Sequence, residues 1–396
     1  MHEIVVLGAG YAGMAAAIGL AGRTRKRGDV HVTLVNASDR FTERLRLHQV
    51  ASGQHLADLR IADRLQGTGV EFIRGWVTGL DTATKSVRID DERELPYDTL
   101  VYALGAVADT DAVPGAADHA YTLDSAGDAE LFAQRLDALT GRTASAGAAA
   151  SITVVVCGSG LTGVEAAAEL AEQHPHLRVL LLGRDRPGAT LGPKARAHVD
   201  ATLQRLGVDV RTGVEVAAVR PDGVTLAHGE HVEAAAVLWT SGVRVSPLAA
   251  KAGLGVDERN RIVTGATLRS VSHPDVYAVG DAAAVRQRFG TLHGTCQSGM
   301  PTGVFAAAAI VRALGGKEPK PFRFGYLHAP VSLGRNDAVV QFTHPDDSPR
   351  RLYLTGRAAR WYKETVSAAP WPTLARTYTI PGTAMLGWRR GGAYTR

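Results

Sequence analysis

The chain opens with an alternation of apolar runs and an alanine-rich segment that predicts a strand, a helix and a second strand. The apolar runs Glu3–Leu7 and His31–Val35 have the length and composition of buried strands. The segment between them begins with a glycine-rich turn and continues to about Gly22 with the composition of a helix. This order predicts one βαβ unit at the start of the chain.

The same pattern returns about 150 residues later. An apolar run at Ile152–Cys157 is followed by a second glycine-rich turn, a helical segment at Val164–Gln173 and another apolar run at Leu177–Leu182. Two matching units at this distance predict two dinucleotide-binding domains rather than a solenoid of short repeats.

Each glycine-rich turn follows a predicted strand and precedes a predicted helix, which is the context that a dinucleotide requires. The turns contain Gly8, Gly10 and Gly13 in the first unit and Gly158, Gly160 and Gly163 in the second. In this motif the glycines allow a tight turn, close approach of a pyrophosphate, and close packing of helix on strand. The helix start supplies N–H groups and a positive dipole, so Tyr11, Ala12, Leu161 and Thr162 are also candidate binding residues. The alternative is that both turns need glycine only for their geometry.

The residue at the end of the second strand of each unit bears on the ligand. In the first unit this residue is Asn36, whose carbonyl oxygen can accept a hydrogen bond from a ribose. In the second unit it is Gly183, followed by Arg184, Asp185 and Arg186. The two arginines favour NADPH over NADH, because they can bind a 2′-phosphate. Asp185 in the acidic, NADH-binding role and ordinary surface arginines stay open as alternatives.

Composition narrows the class of protein. Glycine accounts for 44 of 396 residues, above the usual ~7%, as expected for a chain with many tight turns. The formal net charge is +5 without a run of like charges, so nucleic-acid binding is not expected. Cys157 and Cys296 lie far apart, which argues against a disulfide scaffold or a cysteine-based metal site. No apolar run reaches about 18 residues, and the first apolar strand begins by about residue 3. We therefore expect neither a membrane span nor a leader, and a cytoplasmic protein.

Together with three later motifs, the loops resemble the two-dinucleotide-domain flavoprotein reductases, most closely the type II NADH dehydrogenases and the AIF-like proteins. The resemblance covers residues 1 to about 335. The later motifs are Tyr97–Gly105, Leu238–Gly242 and Val276–Asp281, which resemble the second FAD segment, the return segment beside the nicotinamide and the last FAD segment.

The resemblance implies an α/β fold with two Rossmann-like, three-layer, glutathione-reductase-like domains and a β-leaning C-terminal extension. The expected parts are residues 1–110 and 256–320 for FAD, 111–255 for NAD(P)H and 321–396 for the extension. A flexible connector is expected at Gly141–Ala150. The resemblance also implies FAD contacts from Val77, Ala103, Gly105 and Asp281 and a nicotinamide contact from Gly242. For Asp281 a helix N-cap is the structural alternative.

Two residues are candidates for catalysis. Glu165 follows the third glycine of the second loop, on the expected first turn of its helix, and by resemblance lies near the nicotinamide and flavin. Gln297 matches one glutamine of the segment that quinone-reducing relatives carry, whereas Pro301 and Thr302 replace the later pair. Glu169 is expected to be solvated or to pack, and Cys296 to be a packing residue.

The implied activity is an FAD-dependent oxidoreductase that takes hydride from NAD(P)H and passes electrons to a quinone or another small-molecule acceptor. Two alternatives stay open: a flavoenzyme acting on a specialised metabolite, and a non-catalytic AIF-like redox sensor. Residues 365–396 contain Trp371 and Trp388 with four arginines and no acidic residue. A weak peripheral membrane contact and a homodimer are therefore also left open.

Overall fold

The computed structural model describes residues 1–146 and 152–381 of the chain. The strands of its first part are β1 (His2–Leu7), β2 (Val30–Asn36), β3 (Val70–Arg74), β4 (Val77–Asp81), β5 (Ser86–Ile89), β6 (Arg93–Pro96), β7 (Thr99–Tyr102), β8 (Val107–Ala108), β9 (Ile152–Cys157), β10 (Leu177–Gly183) and β11 (Asp209–Thr212). The later strands are β12 (Val216–Arg220), β13 (Gly223–Leu226), β14 (His231–Glu233), β15 (Ala236–Trp239), β16 (Val243–Arg244), β17 (Ile262–Val263), β18 (Val276–Ala278), β19 (Ala283–Ala284), β20 (Arg286–Gln287), β21 (Gly290–Thr291), β22 (His328–Ser332), β23 (Ala338–Thr343) and β24 (Pro349–Thr355).

The helices connect these strands and cover their faces. They are α1 (Tyr11–Thr24), α2 (Leu47–Ala51), α3 (Ile61–Leu65), α4 (Ala116–His119), α5 (Ala126–Ala146), α6 (Leu161–Gln173), α7 (Pro193–Arg205), α8 (Leu248–Lys251), α9 (Cys296–Leu314), α10 (Gly356–Ala368) and α11 (Pro370–Thr379). Two short 3₁₀ turns lie at Arg44–Arg46 and Gly280–Ala282.

The first parallel sheet has the strand order β18-β7-β1-β2-β3. Its strands β1 and β2 pair in register from His2 opposite Val30 to Leu7 opposite Val35. The chain leaves this sheet after β7 and returns to its edge at β18, where Val276 lies opposite Leu100. Helix α1 covers the sheet and packs against α9 and α11. Residues from both ends of the chain therefore build one apolar core.

The second parallel sheet has the order β11-β10-β9-β15 and repeats the central arrangement of the first. In both sheets a glycine-rich turn joins the central strand to a helix that returns to the next parallel strand. Two three-stranded antiparallel sheets, β4-β5-β6 and β12-β13-β14, and a two-stranded β8-β16 pair accompany the parallel sheets. The α/β fold class and both predicted βαβ units are confirmed.

The structure corrects two expectations about irregular or β-rich segments. Helix α5 continues through Ala146, so the first part of the connector expected at Gly141–Ala150 is helical, and the rest lies outside the described residues. The β-leaning extension contains the antiparallel sheet β22-β23-β24, but helices α10 and α11 follow it. Two short helices form there because Pro370 begins the second one, at a position where proline is tolerated.

Helix α9 runs through Pro301 without a break, although a proline at this depth removes one backbone hydrogen bond. Thr295 caps this helix with its side chain, which accepts a hydrogen bond from Ser298 N at 3.0 Å. Along residues 1–146 and 152–381, none of the helices combines the length and the apolar character that a bilayer span requires.

Candidate active site

The first glycine loop, between β1 and α1, leaves one side open and closes the other. Gly8 has φ +94°, and a Cβ there would lie 2.5 Å from Ala103 O. A Cβ on Gly13 would lie 1.8 Å from Gly8 O, so the helix can pack on the strand only with glycine at this position. A Cβ on Gly10, in contrast, would meet nothing within 4 Å. At Gly10, the middle glycine, the backbone of the loop therefore faces open space, and no side chain covers it.

The start of α1 has the properties of an anion site. Gly10 occupies the N-cap position without a capping side chain, and the first turn contains no acidic residue. The first N–H groups of the helix, beginning with Tyr11 and Ala12, therefore retain the positive end of the dipole without a charged neighbour in that turn. Gly105, which follows the end of β7, has φ +69° and would also meet nothing with a Cβ.

Asn36 uses its side chain to hold this loop. Its Oδ1 accepts a hydrogen bond from Ala9 N at 2.9 Å, and its Nδ2 donates to Ser38 O at 2.8 Å. The side chain links the end of β2 to the glycine turn. It remains half-buried at the edge of the loop.

Asp281 lies in the 3₁₀ turn Gly280–Ala282, and strand β19 follows instead of a helix. The helix N-cap alternative for this residue is therefore wrong. Asp281 lines a cavity together with Arg261, His293 and Gly294. Burial raises the pKa of its carboxyl group, while Arg44 and His293 act in the opposite direction. Its turn is fixed from α9, because Gly280 N donates to Thr302 Oγ1 at 2.9 Å.

The second loop repeats the geometry of the first. Gly158 has φ +117°, and a Cβ on Gly163 would lie 1.8 Å from Gly158 O. A Cβ on Gly160 would meet nothing within 4 Å. Helix α6 starts at Leu161 with neither a capping side chain nor an acid in its first turn, and Thr162 in that turn is exposed. A second helix start of the same form is thus open to an anion.

Gly183 ends β10 for a packing reason. A Cβ there would lie 2.0 Å from Ser159 Oγ, which donates to Asp185 O at 2.7 Å. Ser159 therefore takes the space that an acidic side chain at position 183 would need. Arg184, Asp185 and Arg186 are exposed, and within the described residues neither arginine forms an ion pair.

Gly242 lies beside β16, which pairs with β8. It has φ +72°, and a Cβ on it would approach Asp109 Cβ to 3.1 Å. Val77 begins β4 opposite Ile89 and is half-buried against the first core. Any contact of Val77 with a ligand would be made from this edge of the small antiparallel sheet.

Glu165 is the fifth residue of α6, so it lies on the second turn of the helix and not on the first. The expected position on the first turn is wrong because the helix begins at Leu161, three residues before the predicted start at Val164. The Oε1 atom of Glu165 accepts from Ser332 N at 2.9 Å and pairs with Lys363 Nζ at 2.8 Å. His48 Nδ1 lies 3.8 Å from Oε2. Helix α6, helix α2, the C-terminal sheet and α10 therefore converge on one carboxylate.

Charge pairing determines the ionisation of this group. Burial alone would raise the pKa of Glu165, but Lys363, His48 and the hydrogen bonds outweigh burial, and the pKa is lowered. Burial also lowers the pKa of His48 to about 4, so its ring is neutral near pH 7. An ionised carboxylate paired with an ammonium group, next to a neutral imidazole, can accept or return a proton when the local charge changes.

Gln297 lies on the first turn of α9, and backbone groups occupy its amide. Its Nε2 donates to His328 O at 2.8 Å, and its Oε1 accepts from Leu327 N at 2.7 Å. Cys296, next to it, is partly exposed, and burial of its thiol raises its pKa to about 11. Cys157 is buried at the end of β9, where burial raises its pKa to about 12. Both thiols are therefore protonated and unreactive near neutral pH.

Glu169 and three long-range partners complete the surroundings of Glu165. Glu169 is 0% exposed, so the expectation of a solvated side chain is wrong and the packing alternative holds. Arg335, Lys363 and His48 were not identified from the sequence as site residues. Lys363 and Arg335 lie outside every recognised motif, and nothing in the sequence distinguishes His48 from the other thirteen histidines. Only the tertiary structure brings them together.

The sequence profile described as pyridine nucleotide-disulphide oxidoreductase matches residues 2–302 of the chain. An NADH dehydrogenase-like protein of Mycobacterium tuberculosis is 31% identical over 382 residues, which cover 93% of each chain. A demethylphylloquinone reductase of Synechocystis is 28% identical over 96% of this chain and 94% of its own length. A type II NADH:quinone oxidoreductase of M. tuberculosis is 29% identical over 86% and 79% of the two chains.

Solved structures share the fold. The structure of NDH2 from Plasmodium falciparum in complex with NADH superimposes with a TM-score of 0.80 at 16% identity, over 96% of this chain and 98% of the other. A sulfide:quinone oxidoreductase from Aquifex aeolicus gives a TM-score of 0.78 at 18% identity, over 96% and 92%. At these identities the match shows a common architecture.

Proposed function

The chain belongs to the pyridine nucleotide-disulphide oxidoreductase family, and we propose that it oxidises NAD(P)H through bound FAD and reduces a quinone. One observation carries the proposal. Gly10 and Gly160 each present bare backbone to open space at an uncapped helix start, one on each parallel sheet. We call each loop, Gly8–Gly13 or Gly158–Gly163, together with the helix start within it, a cradle. Two cradles in one chain can bind two dinucleotides, one that stays bound and one that is exchanged in each turnover.

FAD fits the first cradle. The backbone between Gly8 and Gly13 would hold the pyrophosphate, and Asn36 would hold the ribose of the adenosine half. Asp281, which lines a cavity, would accept a hydrogen bond from the ribitol chain. Ala103, Gly105 and Val77 would contribute contacts from the neighbouring strands. When bound, the flavin supplies the redox chemistry by taking two electrons from NAD(P)H and passing them on.

The nicotinamide dinucleotide fits the second cradle, between Gly158 and Gly163, with Leu161 and Thr162 at the helix start and Gly242 beside the nicotinamide. We propose that NADPH is preferred over NADH, although relatives are named for NADH. The support is that Ser159 fills the place of an acid at Gly183, whereas Arg184 and Arg186 stand exposed and without acidic partners within the described residues. An arginine fork suits a 2′-phosphate.

Glu165 is the proposed catalytic residue because it lies on the helix of the second cradle and is held there by Lys363 and Ser332. The carboxylate would accept or return a proton beside the reacting rings. For Gln297 we propose a positioning role. Both ends of its amide hold the chain at residues 327–328, which leads into β22 and hence to Ser332.

The quinone acceptor is proposed from the names of the relatives, which include quinone oxidoreductases and a demethylphylloquinone reductase. We also propose a cytoplasmic enzyme with a weak peripheral membrane contact. Of the tail residues that suggested this contact, Trp388 lies outside the described residues and Trp371 packs against Phe41. We place the contact at α10 instead, where Trp361 is 72% exposed. Arg357 and Arg360 are exposed beside it and would favour anionic lipid. A homodimer and the domain limits 1–110, 111–255, 256–320 and 321–396 stay proposals.

Anaerobic mixing of the FAD-loaded protein with NADPH or NADH, followed by a panel of quinones, tests the function. Bleaching of the flavin band by the coenzyme and its return with a quinone are expected. Bleaching by neither coenzyme would overturn the proposal and favour an enzyme of a specialised metabolite. A long-lived charge-transfer complex that no quinone discharges would favour a redox sensor.

Matched glycine variants separate the two cradles. Both Gly10 and Gly160 have backbone angles that alanine adopts, with room for the added methyl group. Gly160→Ala is expected to keep bound FAD but to raise the Kd of NADPH at least ~10-fold, or about 1.4 kcal/mol. Gly10→Ala is expected to weaken FAD retention instead. If each variant affected both ligands equally, the assignment of the cradles would be wrong.

A further inference from the structure

A cluster of charged side chains lies behind Glu165, where α6 meets α2, the turn between β22 and β23, and α10. Its charged and titratable groups are Glu165, Glu169 and Glu172 on α6, Arg46 and His48 at α2, Arg335 in the turn, and Lys363 and Glu364 on α10. Glu364 pairs with Arg335 at 2.7 Å and with Arg46 at 2.9 Å. Most of the charges in this cluster are therefore paired.

Glu169 is the exception in this cluster. It is 0% exposed, and one of its oxygens accepts a hydrogen bond from Gln54 Nε2. Its other oxygen, Oε2, is buried and has no hydrogen-bond partner among the described residues. The guanidinium of Arg335 comes no closer than 3.9 Å. A carboxylate so poorly compensated is unfavourable, so the acid form is stabilised.

The physical result is a carboxyl group that titrates near neutral pH. Burial raises the pKa of Glu169 to about 7, and the carboxylates of Glu172 and Glu165 act in the same direction. Gln54 and Arg335 act in the opposite direction but do not compensate. Glu169 can therefore hold a proton or release it within the ordinary working range of pH.

The position of Glu169 links Glu165 with solvent. Residues four apart on a helix lie on one face with about 5–6 Å between their Cβ atoms, which is the relation of Glu165 to Glu169. On its far side Glu169 contacts Gln54 and Arg335, both of which are partly exposed. The buried carboxyl group thus stands between the site and the protein surface.

We propose that Glu169 is a proton-exchanging residue that acts through Glu165, passing a proton from solvent into the active site in each turnover. The proposal rests on the function proposed above, because that reaction consumes a proton. NAD(P)H and a quinone yield NAD(P)⁺ and a quinol: the hydride brings two electrons and one proton, and the second proton comes from solvent. At rest the proton stays on Glu169, because the pKa of Glu165 is lowered and that of Glu169 is raised. When the reaction places negative charge beside Glu165, the pKa of Glu165 rises and its carboxylate takes the proton from Glu169 and passes it on. Glu169 then recovers a proton at the side of Gln54 and Arg335.

Glu169→Gln in the FAD-loaded enzyme tests this role. Glutamine keeps the oxygen that accepts from Gln54 but cannot titrate. Glu172→Gln is the matched control, since Glu172 lies on the same helix face and holds the same turn through Arg335 N and Asn336. The enzyme is reduced with dithionite and mixed with a soluble naphthoquinone at several pH values. We expect reoxidation to slow at least ~10-fold in Glu169→Gln and its solvent isotope effect to change. Glu172→Gln should keep the isotope effect and a much faster reoxidation than Glu169→Gln, with its pH dependence moved to lower pH, because one of the charges that raise the pKa of Glu169 is gone.

Infrared difference spectroscopy gives a readout that does not depend on activity. In a pH titration of the oxidised holoenzyme, the carbonyl stretch of a protonated acid should disappear near neutral pH in wild type. It should disappear at lower pH in Glu172→Gln, which lacks one of the charges that raise the pKa of Glu169, and be absent from Glu169→Gln. Identical spectra in all three proteins, or equal slowing by both variants, would overturn the role of Glu169. If reduced wild-type enzyme did not react with the quinone at all, the proposed function would fail, and the infrared titration would still decide whether Glu169 exchanges protons.

Discussion

At the scale of single residues, small differences in space decide which chemistry each loop can support. Gly183 is glycine because Ser159 packs against it, and this one contact removes the acidic side chain that would hold a ribose 2′-hydroxyl. The chain offers arginine guanidinium groups at the following positions instead. A substitution here therefore tests recognition without disturbing the core.

Arg184→Glu is expected to lower kcat/KM for NADPH by about 10- to 100-fold, because a hydrogen bond to a charged group contributes about 1.5–3 kcal/mol. The value for NADH should stay the same or rise, since a carboxylate can accept from the free hydroxyl. Steady-state kinetics with both coenzymes measure the ratio. Arg220→Glu, at an exposed position on β12, makes the same charge change elsewhere. An unchanged ratio in Arg184→Glu would show that this arginine does not recognise the phosphate.

At the scale of elements, the sequence predicts those helices, strands and turns that depend on residues close together along the chain. Both βαβ units were predictable, because buried strands, glycine turns and alanine-rich helices each have a local pattern. The end of helix α5 is predicted as a connector because Ala144, Ser145 and Ala146 resemble a linker, although they are compatible with a helix. The approach of Ser332 to Glu165 spans 167 positions in the sequence, and no local pattern indicates such a contact.

The ion pair between α6 and α10 gives the prediction at this scale. Glu165 and Lys363 are both buried, so removing one partner leaves an uncompensated charge, which typically costs about 3–5 kcal/mol. We expect Lys363→Met and Glu165→Gln each to lower the thermal midpoint of the holoenzyme. The double variant should be more stable than the sum of the two losses implies.

A double-mutant cycle on thermal unfolding measures this coupling, with an expected interaction energy of about 1–3 kcal/mol. Arg205→Met with Asp337→Asn supplies a comparison, because that pair is longer, at 3.5 Å, and its arginine is largely exposed. The interaction energy between Arg205 and Asp337 should be close to the small value that is typical of surface ion pairs. Purely additive losses at Glu165 and Lys363 would mean that the two helices are not joined through this pair.

At the scale of the whole molecule, the buried ionisable groups act on stability in opposite directions. Burial lowers the pKa of His48 and of His328 to about 4 from an ordinary 6.5. Between those values the unfolded chain binds protons that the folded chain excludes, so each histidine makes stability fall as pH falls from 6.5 to 4. Glu169 is the reverse case. Its pKa of about 7, against 4.5 when unfolded, means that stability falls as pH rises from 4.5 to 7.

The windows overlap between pH 4.5 and 6.5, so each variant should change the slope of stability against pH by about one proton, or ~1.4 kcal/mol per pH unit. Glu169→Gln removes a group that favours the folded state in acid, and the loss of stability on acidification becomes steeper. His48→Gln removes a group that disfavours the folded state in acid, so the loss of stability on acidification becomes shallower. Groups outside the cluster around Glu165 are common to the three proteins and cancel in the differences. Unfolding free energies at several pH values, taken from denaturant titrations, give these slopes. Parallel curves for wild type and Glu169→Gln would show that the buried carboxyl group does not hold a proton in the folded protein.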